Sequence, residues 1–117
     1  MTTPKRILIV EDEPLIAMML EDFLEILDHP VAGTADNVAA ALALIDAGGI
    51  EAAILDVNLR DGEQSWPIAD ALAARGIPFV LATGGSGDSV AEAHRERPVL
   101  SKPFTMDGVE KALAGLN

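Results

Sequence analysis

The chain has 117 residues, a formal net charge of −11, three Phe, one Trp, no Tyr and no Cys. That length makes one domain with one core, and the few aromatics make the core aliphatic and alanine-rich. The charge argues against a nucleic-acid partner, which demands a basic face, and the missing thiols exclude disulfides and thiolate metal sites.

The N-terminal apolar run Ile7-Leu8-Ile9-Val10 is shorter than the roughly 7–15 residues of a signal-peptide core. No segment approaches the roughly 18 apolar residues of a membrane span. A cytoplasmic protein with no membrane partner is expected.

Residues 6–10 read as a first strand, and 14–27 as a helix with Pro14 in its first turn and Ile16, Leu20, Phe23 and Leu27 on its apolar face. Residues 30–34 read as a weak strand. A helix over 37–47 follows, with Val38, Ala41, Leu42 and Ile45 at helical spacing and Gly48-Gly49 as its stop. Residues 52–55 read as the third strand, and 57–64 as a loop holding the Asp61-Gly62 turn signal. Ser65 is placed to cap a helix that runs to about Arg75 and ends at Gly76. Residues 79–82 form the fourth strand, followed by the flexible stretch Gly84-Gly85-Ser86-Gly87. A helix over 89–96 has a poor apolar stripe, with Val90 its only large apolar residue. Residues 99–101 form the fifth strand, and 105–116 the last helix, with Val109, Ala112, Leu113 and Leu116 on one face. Five strand–helix units in alternation predict a doubly wound α/β fold, a parallel sheet with helices on both faces. The chain ends just past the last helix face, so one domain over 1–117 with no output domain is expected.

Four of the apolar runs end in chemically loaded residues: Glu11-Asp12, Asp56, Thr83 and Lys102-Pro103. Ligands of open parallel sheets bind beyond the carboxyl ends of the strands. The pattern therefore gathers three carboxylates, a hydroxyl and an ammonium at one sheet edge, as a metal-and-phosphate site would. Taken alone, Glu11 and Asp12 read first as helix-capping acids. With Asp56 beside them they form a repulsive cluster, since two carboxylates ~4 Å apart repel by about 4 kcal/mol at an effective dielectric of 20. Such a cluster invites a hard divalent cation, Mg²⁺ above softer metals, with the backbone carbonyl of Asn58 as a further ligand. Asp56, alone at its strand end, is the candidate nucleophile, because carboxylates form aspartyl-phosphates. Thr83 and the glycines after it, Gly84 first, let a hydroxyl and backbone N–H groups approach a phosphoryl oxygen. Lys102 can bridge Asp56 at rest and bind phosphate oxygens afterwards.

In this order the residues resemble the receiver domain of two-component response regulators. The matching stretches are 7–13 (ILIVEDE), 54–62 (ILDVNLRDG), 81–84 (LATG) and 100–104 (LSKPF). The resemblance implies a flavodoxin-like (βα)5 three-layer sandwich with strand order 2-1-3-4-5. It implies Asp56 as phospho-acceptor, Asp12 as direct metal ligand and Glu11 acting through metal-bound water. It also implies Asn58 as carbonyl ligand, Thr83 and Lys102 as partners of the phosphoryl group, and Mg²⁺, or Mn²⁺ in its place, as cofactor. A sensor histidine kinase is the implied donor. The output would pass to a downstream protein or phosphotransfer protein, from a monomer able to dimerise on phosphorylation. No enzymatic activity is implied beyond self-phosphorylation and slow hydrolysis of the phosphoryl group.

Two departures stand out. The usual aromatic switch position, three residues before Lys102, is Val99, and Leu81-Ala82-Thr83-Gly84 resembles the Phe-Ala-Thr-Gly signature of a subgroup of stand-alone receivers. Ordering of the stretch 84–96 is then the expected switch, and Arg95, Arg97 and Lys111 fall in the expected partner region. Two other readings compete. A small Mg²⁺-dependent phosphatase would commonly carry an acid where Asn58 stands, and a non-phosphorylated binding module would not need the complete site.

Overall fold

The computed structural model describes residues 5–57, 59, 64–83, 99–101 and 104–114. Five strands, β1 (Ile7–Val10), β2 (Val31–Ala35), β3 (Ala52–Asp56), β4 (Phe79–Thr83) and β5 (Val99–Ser101), form one parallel sheet in the order β2-β1-β3-β4-β5. The described helices are α1 (Pro14–Ile26), α2 (Val38–Ala47), α3 (Trp66–Ala74) and α4 (Met106–Ala114). The expected helix over 89–96 lies outside the described residues.

The apolar runs form central strands because both their faces are covered. Every residue of β1 and β3 is buried, and the period-2 alternation of a strand sends neighbours to opposite sides. Leu8, Val10, Ala53, Leu55, Phe79 and Leu81 face α2 and α3, meeting Ala41, Ile45, Ile68 and Leu72. Ile7, Ile9, Ala52, Ile54, Val80 and Leu100 face α1 and α4, meeting Leu20, Leu24, Val109 and Leu113. Truncating one such aliphatic side chain to Ala costs about 2–5 kcal/mol, so these two layers hold the strand ends in place. Close packing also uses small residues: a Cβ on Gly33 would lie 3.0 Å from Leu44 Cδ1, so glycine lets α2 sit tightly on β2.

Several local expectations shift. The buried face of α1 is Ala17, Leu20 and Leu24, while Ile16, Phe23 and Leu27 sit at its partly buried margin. The weak strand begins one residue later than expected, at Val31, and ends at Ala35. Ser65 occupies the N-cap position of α3 but makes no side-chain capping bond; its hydroxyl donates backwards to the Val57 carbonyl instead, at 3.2 Å. Asn37 does cap α2, its Oδ1 accepting from Ala40 N–H at 2.8 Å.

α1 and α3 end in the same way. The N–H of Asp28 donates to Glu25 O and that of His29 to Leu24 O; the N–H of Gly76 donates to Ala73 O and that of Ile77 to Leu72 O. This C-terminal motif needs a left-handed residue. Gly76 supplies it at φ +69°, whereas at α1 it falls to Asp28, at φ +64°.

Candidate functional site

The parallel register brings the carboxyl ends of β1 and β3 side by side, with Val10 opposite Leu55. Glu11 and Asp12 leave β1 there, and Asp56 is the last residue of β3. One carboxylate oxygen from each of the three lies within 4.8 Å of the others. Glu11 is 3% exposed and Asp56 5% exposed, while Asp12 is half-buried. The hydrophobic layers beneath thus hold two acids out of bulk water against a third. At that separation a pair of unit charges repels by about 1 kcal/mol at water's dielectric and about 3 kcal/mol at an effective value near 20.

Local geometry supports the cluster. Glu11 N–H donates to Ala35 O at 3.0 Å, extending the β1–β2 ladder to the site. Glu11 Oε2 accepts from Asp12 N–H at 3.0 Å. The N-cap of α1 is Glu13, whose side chain makes no capping bond, and Pro14 opens the helix. The helix-capping alternative for Glu11 and Asp12 therefore gives way to their meeting with Asp56. An open cleft beside the carboxylates is lined by Glu11, Asp12, Pro14, Thr34 and Asp36. Thr34 Oγ1 donates to Glu21 Oε2 at 2.9 Å, tying β2 to α1 at its rim.

Thr83 closes β4, paired with Ser101 of β5, on the same sheet edge as Asp56, which pairs with Ala82. Val99 begins β5 and is 50% exposed. Asn58, Gly84 and Lys102 lie outside the described residues. Three oxygen donors of hard character, close together and anionic, fit a divalent cation such as Mg²⁺. One contributor escaped sequence reasoning. Ser65, buried and joined to the residue after Asp56, looked like an ordinary helix cap, and no sequence signal separates the two roles.

Residues 7–114 match the response regulator receiver domain family. The solution structure of SdrG from Sphingomonas melonis Fr1 is similar at 71% identity and a TM-score of 0.87, covering 97% of both chains. The BeF3-activated conformation of SdrG from Pseudomonas melonis Fr1 matches with the same identity and coverage at a TM-score of 0.82. The phyllosphere-induced regulator PhyR of Methylorubrum extorquens is 32% identical over 112 residues, which is 92% of this chain and 42% of that protein. The chain spans about half the length of the curated relatives it matches.

Proposed function

The chain belongs to the response regulator receiver domain family, and from that premise we propose that Asp56 accepts a phosphoryl group from the phosphohistidine of a sensor histidine kinase. The observation that carries this reading is the meeting of Glu11, Asp12 and Asp56 within 4.8 Å at the carboxyl edge of the sheet. A carboxylate oxygen of Asp56 forms the new P–O bond while the P–N bond to the donor imidazole breaks. Glu11, Asp12 and Asp56, with the backbone carbonyl of Asn58, would hold Mg²⁺, which when bound supplies positive charge to the transferring oxygens. The remaining work is positioning and charge neutralisation. Thr83 and the Gly84 N–H receive a phosphoryl oxygen, and the Lys102 ammonium pairs with another.

The signal then passes to a partner protein, or the phosphoryl group passes to a phosphotransfer protein. We take the domain to act in the cytoplasm, as a monomer that can pair when phosphorylated. No described helix is long and apolar enough to cross a membrane. Within the expected partner region, Lys111 pairs with Asp107 at 3.2 Å, so its charge is already partly engaged. Half-exposed Val99 cannot report by burying an aromatic ring, which leaves ordering of 84–96 as the proposed readout.

Intact mass after incubation with Mg²⁺ and acetyl phosphate tests the reading. A single phospho-adduct in the wild type, absent in Asp56→Asn, is expected. No adduct with acetyl phosphate or a cognate kinase would favour the non-phosphorylated binding module. Rapid turnover of a phosphomonoester would favour a phosphatase.

A further inference from the structure

Val57, the residue after Asp56, is held on both sides. Its N–H donates to Ala82 O at 3.0 Å, carrying the β3–β4 ladder one step past Asp56. Its carbonyl accepts two hydrogen bonds from one residue: Ser65 N–H at 3.2 Å and Ser65 Oγ–H at 3.2 Å. Ser65 is 0% exposed, and its own carbonyl accepts from Ile68 N–H and Ala69 N–H at 3.0 Å, starting α3. A single buried serine thus ties the exit from the Asp56 strand to the first turn of a helix packed on the sheet.

A peptide plane is rigid. Fixing the N–H before Val57 and the carbonyl after it leaves little freedom in how the chain departs from Asp56. A loop closure needed only for folding is served by the Ser65 N–H alone. The second bond, from a hydroxyl buried away from its usual capping partner, adds orientation to the same carbonyl. From this, and resting on the phospho-acceptor reading of Asp56, we infer that Ser65 is a positioning residue for the carboxylate site: its hydroxyl sets the backbone that presents Asp56, and the ligands beside it, to metal and phosphoryl group. It touches neither, and acts through Val57.

The test compares Ser65→Ala and Ser65→Thr with wild type. Mg²⁺ affinity is read from amide chemical shifts, uptake from acetyl phosphate by intact mass, and melting temperature in metal-free buffer. Loss of one hydrogen bond's net orientation corresponds to about fivefold in an equilibrium or rate constant. Ser65→Ala should lose about that much in Mg²⁺ affinity and uptake, and Ser65→Thr, which keeps the hydroxyl, should recover most of it. Should Ser65→Ala not fold, Ser65→Cys, with its weak S–H donor, takes its place against Ser65→Thr. Unchanged Mg²⁺ affinity and uptake in Ser65→Ala, with only a lower melting temperature, would reduce Ser65 to loop closure. Equal losses in the Ala and Thr variants would exclude the hydroxyl as the cause. If wild type itself takes up neither ion nor phosphoryl group, the phospho-acceptor reading fails and this inference falls with it. A wild type that does so, beside an unaffected Ser65→Ala, overturns only the role of Ser65.

Discussion

The two ends of the sheet carry charged and polar groups in opposite ways. At the amino edge each described group serves the backbone: Lys5 N–H donates to His29 Nδ1 at 3.0 Å, Arg6 N–H to Glu51 Oε1 at 3.0 Å, and Arg6 Nε–H to Gly49 O at 2.8 Å. Donors meet acceptors, and the result fastens β1 between the starts of β2 and β3. At the carboxyl edge three groups of like charge converge, two of them buried. The repulsion among them works against folding, and the layers beneath hold the strand ends together against it. It stores an affinity for positive charge. The same strands thus end in a fastening on one side and a cluster of like charge on the other.

That contrast can be broken most sharply at the carboxyl edge. Asp12→Asn should lower Mg²⁺ affinity by at least about tenfold, since ligand carboxylates dominate a hard-cation site. In metal-free buffer the same variant should melt higher than wild type, because about 1–3 kcal/mol of repulsion is released. Titration and a melting curve check both directions, and a lower metal-free melting temperature would show the cluster to be stabilising.

At the amino edge the sign reverses. His29→Leu should cost about 1–3 kcal/mol of stability through the lost acceptor for Lys5 N–H and leave phosphoryl uptake unchanged. His29 is buried, and burial first, then nearby Lys5, lowers its pKa from the ordinary 6.5, against an opposing pull from Asp28. The unfolded chain therefore takes up the proton first as pH falls. The contribution of neutral His29 is fully present above pH 6.5 and is lost as pH falls through the depressed folded value. Denaturant midpoints measured from about pH 7 to about pH 5 should fall in wild type, and that component should vanish in His29→Leu. The smallest effect is expected at Asp28. A glycine there, as at Gly76, removes the side-chain strain of a left-handed residue. Asp28→Gly should gain about 0.5–1 kcal/mol in thermal melts, with Mg²⁺ affinity untouched.

Much of this contrast was legible in the residues themselves. Short apolar runs bounded by Gly, Pro and charge mark buried parallel strands, and the order acid pair, lone Asp, Thr, Lys marks one sheet edge. What escaped was decided by packing. Periodicity placed the α1 stripe on the largest side chains, but the packed helix buries Ala17, Leu20 and Leu24 and leaves Ile16, Phe23 and Leu27 only partly buried. Ser65 met every local rule for a cap, yet the long-range Val57 carbonyl won its hydroxyl. His29 had no periodic signal at all, because its partner is a backbone N–H across the sheet edge. Asn58, Gly84 and Lys102, read from the strand-end pattern and the family resemblance, lie outside the described residues.

The central claim is that the carboxyl edge alone is the receptor. An amide chemical-shift map of the protein, recorded before and after adding Mg²⁺ and beryllofluoride, tests it most directly. The account predicts large shifts at Glu11, Asp12, Val57 and Thr83, and none at Lys5, His29 or Glu51. No change at the first group, or shifts centred on the second, would contradict it.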